Sequence, residues 1–134
     1  MEDKSRIHNQ GKMRQLIDFK NIDIDGYIYP TDIDGLIEYK NSEYIIFEIK
    51  FKGADVPYGQ RLALQRMVDD FAAAGKRAIV FVCEHNVKDT AVPVVAARCV
   101  VREIYSSIDH AWITPVPGMR VREAVELFHQ SAAS

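Results

Sequence analysis

Asp34, Glu48 and Lys50 are the residues of this chain whose types and spacing could do chemistry. Glu48 and Lys50 flank Ile49 in a run from Tyr44 to Phe51 that is rich in the β-branched and aromatic residues strands favour. Successive side chains of a strand alternate between faces, so Phe47, Ile49 and Phe51 point one way and Glu48, Lys50 and Lys52 the other. Carboxylates gathered on one patch repel each other. A hard divalent cation such as Mg²⁺ gives them a reason to coexist, because it prefers oxygen ligands and uses one or two carboxylates plus water and substrate phosphate. Such a cation acidifies water and polarises a phosphoryl oxygen. Lys50 beside it can orient the attacking water or stabilise charge building on the phosphate. The three residues together suit metal-assisted phosphodiester hydrolysis. A Glu-x-Lys pair alone usually marks an exposed strand with a weak ion pair. Here an aspartate on the preceding strand, an apolar opposite face and a Gly59-Gln60 helix start add to it.

The elements that must position these residues form a hairpin followed by a helix. Ile33 to Lys40 reads as a strand, Asn41-Ser42-Glu43 as a polar turn, and Glu43 to Lys52 as the next strand. A three-residue turn there sets Lys40 opposite Tyr44, Asp34 opposite Lys50 and Leu36 opposite Glu48. Directly opposite residues share a face, so Asp34, Glu48 and Lys50 converge. A two-residue turn would shift the register by one and separate them, and Gly35 could host a bulge that re-aims Asp34. After a break at Gly53 to Pro57, the spacing of Leu64, Met67, Val68, Phe71 and Ala74 predicts a helix over Tyr58 to Ala74, stopped by Gly75-Lys76. The apolar run in Arg77 to Glu84 predicts a strand buried on both faces and near-parallel to the one before the helix. Further strands are expected at Val94 to Ile104 and Ala111 to Thr114, and a closing helix at Val121 to Gln130. Upstream, residues 1–12 read as a short helix or a polar arm, Met13 to Ile24 as partly helical, Asp25-Gly26 as a turn and Tyr27 to Tyr29 as a short strand.

These elements imply one domain over residues 1–134, of α/β or α+β class, with a small mixed central sheet and helices on both sides. The motif core spans about residues 30–85, and a C-terminal strand and helix lie within about 94–130. Hydrophobic residues make up 48% of the chain, enough for a real core without disulfide or metal staples. No apolar run has transmembrane length and no h-region opens the chain, so no membrane association and a cytoplasmic location are expected. Cys83 and Cys99 sit in apolar runs and read as buried hydrophobes of a reducing cytosol. A net charge of −2 argues against a generic polycation that coats nucleic acid. It does not oppose nucleic-acid chemistry, since an acidic metal site offsets the basic residues around the motif, Lys50, Lys52, Arg61, Arg66, Lys76 and Arg77.

The stretch Pro30-Thr31-Asp32-Ile33-Asp34-Gly35, then Glu48-Ile49-Lys50, then Gly59-Gln60, resembles the PD-(D/E)xK nuclease superfamily. Within it the chain is similar to the small stand-alone nucleases of the VRR-NUC and Holliday-junction-resolvase-like kind, many of them phage-encoded. Thirteen residues separate Asp34 from Glu48, a spacing typical of that motif. The resemblance covers roughly Leu16 to His85 and implies a restriction-endonuclease-like αβββαβ core. It implies Asp34, Glu48 and the Ile49 carbonyl as ligands of Mg²⁺ or Mn²⁺, Lys50 as the catalytic lysine, and Gln60 as a catalytic partner reaching toward Lys50, water or phosphate. Asp32 is an alternative or auxiliary ligand; Asp34 is preferred because it abuts the apolar Leu36-Ile37. Many relatives add a glutamate from the first helix, whereas no glutamate occurs here between Asp3 and Ile37, and Asp18 is the nearest acidic substitute.

The expected activity is Mg²⁺- or Mn²⁺-dependent endonucleolytic hydrolysis of DNA. From the resemblance, a structured or branched substrate, 5′-phosphate products and a homodimer are expected. The competing class is a catalytically silent nuclease-fold module that binds nucleic acid or a host protein, since a fold does not fix a function. Among the remaining residues, Tyr58 is expected to pack under its helix, Trp112 to belong to the core, and His85 to sit in a surface loop or on the rim of the site.

Overall fold

The computed structural model describes residues 17–133. The contacts divide the chain into two compact units, Met1–Pro30 and Thr31–Ser134. In the first unit, residues 1–16 lie outside the described residues, among them the expected N-terminal arm and the start of the partly helical Met13 to Ile24. The described part, from residue 17, contains no helix. Asn21 and Asp25 take positive φ of 64° and 57°, which breaks any helical run. Asp25 and Gly26 turn the chain so that Ile24 bridges Ile28, and the strand expected at Tyr27 to Tyr29 is reduced to that one bridge.

The second unit is an α+β domain built on a five-stranded mixed sheet. Its strands, in both chain and spatial order, are β1 (Gly35–Tyr39), β2 (Glu43–Phe51), β3 (Arg77–His85), β4 (Val100–Ser106) and β5 (Trp112–Ile113). Helix α1 (Tyr58–Ala73) links β2 to β3, which pair in parallel, and α2 (Val121–Gln130) closes the domain. All other pairings are antiparallel. Two described strands precede α1, rather than the three of an αβββαβ core.

The hairpin forms one position earlier than the sequence suggested. Lys40 and Asn41 both take positive φ, 48° and 58°, as primed hairpin turns demand. The Tyr39 carbonyl accepts the Ser42 N–H at 2.9 Å, and Glu38 Oε2 accepts the Asn41 N–H at 2.7 Å. The loop is therefore residues 40–42, Glu43 opens β2 opposite Tyr39, and Gly35 pairs with Phe47. This register differs from the expected one by two residues. An even shift keeps every side chain on its expected face. β1 and β2 pair without a bulge at Gly35, where a Cβ would come within 3.3 Å of the Phe47 ring.

The sheet carries a helix on each face. Ile46, Val80 and Val82 pack with Leu64 and Val68 of α1, and Ile45, Ile79, Phe81 and Cys83 pack with Val121, Ala124 and Phe128 of α2. Each fully buried side chain of this size contributes about 1.5–3 kcal/mol relative to exposure, so these two layers supply most of the stabilisation. Cys83 and Cys99 are buried free thiols in the α2 layer. The expected stop of α1 is a Schellman motif: Gly75 sits at φ 80°, its N–H bonds to the Ala72 carbonyl, and Lys76 N–H bonds to the Phe71 carbonyl. β4 starts six residues later than the apolar run from Val94 implied, because Ala96–Arg98 forms a 3₁₀ turn instead. Among the described residues no helix is long and apolar enough to cross a membrane.

Candidate active site

Alternation along β2 places Ile46, Glu48 and Lys50 on the α1 face, and Phe47 and Ile49 on the α2 face. Glu48 is 1% exposed, level with Val82 of β3, yet it carries a carboxylate. One oxygen, Oε1, lies 3.1 Å from Lys50 Nζ. The other, Oε2, is buried and has no hydrogen-bond partner. Asp34, just before β1, lies against it, and the pairing of Gly35 with Phe47 continued by one step sets Asp34 level with Glu48. Asp34 Oδ2 accepts the Ile49 N–H at 2.6 Å. A residue's N–H and C=O point to the same edge of a strand. The Ile49 carbonyl therefore faces the side where Asp34 sits, beyond the end of β1. Asp34, Glu48, Lys50 and the Ile49 backbone thus meet at one place.

The electrostatics follow from that placement. Burial pushes the Glu48 carboxyl up from its ordinary value, the Lys50 ammonium pulls it down, and the Asp34 carboxylate pushes it up again. The net direction is up, so the ionised form of Glu48 is held at a cost. Cys83 lies on the neighbouring strand, level with Ile49. Its thiol is pushed up to about 12, first by burial and then by the charges around it, so it is inert rather than nucleophilic.

Gln60, in the first turn of α1, is buried, and its Nε2 donates to the Asp32 carbonyl at 3.2 Å. It therefore holds the segment that delivers Asp34. Asp32 is exposed and takes part here through its backbone. Tyr58, expected to pack under the helix, is instead 78% exposed at the start of α1, because the apolar stripe begins only at Leu64. Trp112 packs against Tyr105 and donates from Nε1 to Gln65 Oε1.

The basic residues expected around the motif separate. Arg77 and Lys76 lie at the opposite end of β2 from Lys50, bound to Glu43 and to the Asn41 carbonyl. Arg61 makes a two-pronged pair with Glu103 and lies over the Trp112 ring. The side chains that sequence reasoning missed are Glu84 and Arg102. Glu84 is level with Lys50 and lies 3.7 Å from Arg102, which also donates to the Ala54 carbonyl. Arg102 is the extra residue of a bulge: Val82 pairs with Glu103, and Cys83 with Val101. A bulge re-aims a side chain, and no residue type in β4 announces it.

A divalent cation fits this donor set. Among the described residues no three His, Cys, Asp or Glu side chains form a ready-made cage. Mg²⁺ and Mn²⁺ sites do not need one, since one or two carboxylates and further oxygens suffice. Glu48 Oε2 is the fitting donor: a carboxyl oxygen removed from water that accepts no hydrogen bond. Comparison of the chain with protein-family models, with curated protein sequences and with solved structures returned no match.

Proposed function

We propose that this protein is a Mg²⁺- or Mn²⁺-dependent deoxyribonuclease of the PD-(D/E)xK type. One observation carries the reading: a buried glutamate with a bare oxygen, paired through its other oxygen to Lys50 and crowded by Asp34. Asp34, Glu48 and the Ile49 carbonyl would hold the cation, with Asp32 as the auxiliary acid. Once bound, it would supply Lewis acidity to the phosphodiester and to water. Lys50, only partly exposed at 22%, stabilises the added negative charge on the phosphate oxygens and orients the attacking water. Gln60 fixes the Asp32–Asp34 segment and thereby the carboxylate of Asp34. Water attacks phosphorus in line, the P–O3′ bond breaks, and the products carry 5′-phosphates. Structured or branched DNA is the proposed substrate class and a homodimer the proposed assembly.

The test is a cleavage panel on linear duplex, flap, four-way junction and single-stranded DNA with Mg²⁺, Mn²⁺ or EDTA. Metal-dependent cleavage that Lys50→Ala abolishes is the expected result. A folded wild-type protein that cuts none of these with either metal overturns the reading. Sedimentation that shows a fully active monomer rejects the dimer.

A further inference from the structure

A cleft of about 650 Å³ opens at the end of β2 and β3. Lys52, His85, Arg98 and Arg120 supply its polar lining, and Val94 and Val95 part of its apolar wall. Neither Lys52 nor Arg98 has a side-chain partner among the described residues. Arg120 donates to the Arg98 carbonyl at 2.8 Å and has no carboxylate partner there either. The acid that lines the cleft, Glu84, is engaged by Arg102. Three cations therefore line one cleft, none in an ion pair with a carboxylate among the described residues, in a chain whose net charge is −2. His85 adds a donor. Its Nδ1 accepts the Val87 N–H at 3.1 Å, which leaves Nε2 as the ring's donor. The ring is also held edge-on against Phe51. Val94 and Val95 are 37% and 48% exposed, apolar surface beside the charges rather than in the core.

We infer that this cleft anchors a nucleotide of the DNA strand that flanks the scissile bond. Lys52, Arg98 and Arg120 hold its phosphate, His85 Nε2 donates to it, and the valines pack against the nucleoside. This inference rests on the nuclease reading for the identity of the substrate. Lys52 follows Lys50 by two positions, one residue past the end of β2, and its N–H is fixed to the His85 carbonyl at 2.8 Å. At about 3.3 Å per residue of extended chain, Lys52 lies roughly 13 Å from Glu48. At about 3.4 Å of rise per nucleotide, that distance is a few nucleotides. Lys52 thus ties the cleft to the chain segment that carries the cation site, and the cleft adds what the catalytic carboxylates cannot, attraction for the backbone.

The test uses the full chain in EDTA, where no cleavage interferes. Fluorescence anisotropy reads binding of a labelled single-stranded oligodeoxynucleotide to wild type and to the Lys52→Ala/Arg98→Ala double variant. Both side chains are exposed and unpartnered, so the variant folds, which circular dichroism checks. The expected result is at least about tenfold weaker binding and a salt dependence shallower by about 0.7 in log–log slope, the value for one phosphate of a single strand no longer neutralised. A deoxynucleoside monophosphate should compete better than either inorganic phosphate or the nucleoside. Unchanged affinity and slope in the double variant overturn the inference, as does competition by inorganic phosphate as strong as that by the mononucleotide. If wild type cleaves DNA and the double variant keeps its KM and salt slope, the cleft is wrong and the nuclease reading stands. If wild type binds through the cleft but cuts nothing with either metal, the nuclease reading fails and the anchoring site stands.

Discussion

Glu43 opens strand β2 and Glu48 lies five residues further along it, 3% and 1% exposed, and their surroundings differ in kind. Five positions separate them, an odd number, so Glu43 faces α2 and Glu48 faces α1. Both oxygens of Glu43 are used: Oε1 accepts from Arg77 at 3.0 Å, and Oε2 lies 2.8 Å from His129 Nδ1. Arg77 also lies over the Phe128 ring and donates to the Phe128 carbonyl, so this carboxylate ties the end of α2 to the start of β2 and β3. Glu48 has Lys50 on one oxygen, an Oε2 that accepts no hydrogen bond, and the Asp34 carboxyl against it, which raises its pKa. Burial is the same at both glutamates; satisfaction is not. A buried charge whose hydrogen bonds are complete serves the fold, whereas one left incomplete lowers stability and is kept where something else completes it.

The largest expected separation is in activity. Glu48→Gln should lower the cleavage rate by about 10³-fold, as the loss of a central electrostatic group does. Glu43→Gln should leave the rate per folded molecule unchanged. Single-turnover cleavage by the two variants side by side measures this, and equal losses would erase the distinction between the two glutamates.

Stability should move the other way. Arg77→Ala leaves Glu43 buried with its main partner gone, and urea unfolding should show a loss of about 3 kcal/mol. Glu48→Met, which replaces an unsatisfied acid with an apolar side chain of similar length, should stabilise the metal-free protein by about 1 kcal/mol at neutral pH. The pH dependence gives the sign. The folded-state pKa of Glu48 is raised, so its stabilising contribution is present below the ordinary carboxylate range and is lost as pH rises through the raised value. The advantage of Glu48→Met should therefore grow with pH across that window in EDTA and vanish on acidification. A Glu48→Met protein less stable than wild type at neutral pH would show that the glutamate is satisfied after all.

These two glutamates were unequally legible in the sequence. The faces of Glu48 and Lys50 followed from simple alternation in a strand rich in Ile and Phe, and alternation survives an error of two in register. The register itself was missed because Lys40 takes a left-handed conformation that its residue type does not announce. Glu43 was read as a turn residue for the same reason, and its partner His129 comes from 86 residues away. The cationic cleft was equally hidden. Arg98 and Arg120 are 22 residues apart and meet through a guanidinium on a carbonyl, and Val94 and Val95 look like strand until the 3₁₀ turn at Ala96–Arg98 leaves them outside the sheet. Periodicity reports which face a residue occupies; it does not report what a loop or a bulge brings to that face.

The bare oxygen of Glu48 as a divalent-cation ligand is the centre of the account, and calorimetric titration of Mn²⁺ into wild type, Glu43→Gln and Glu48→Gln tests it directly. The expected result is one ion bound per chain by wild type and by Glu43→Gln, and binding at least about tenfold weaker in Glu48→Gln, a difference of about 1.4 kcal/mol. Equal Mn²⁺ affinity in Glu48→Gln and wild type, or no binding by wild type, would contradict it.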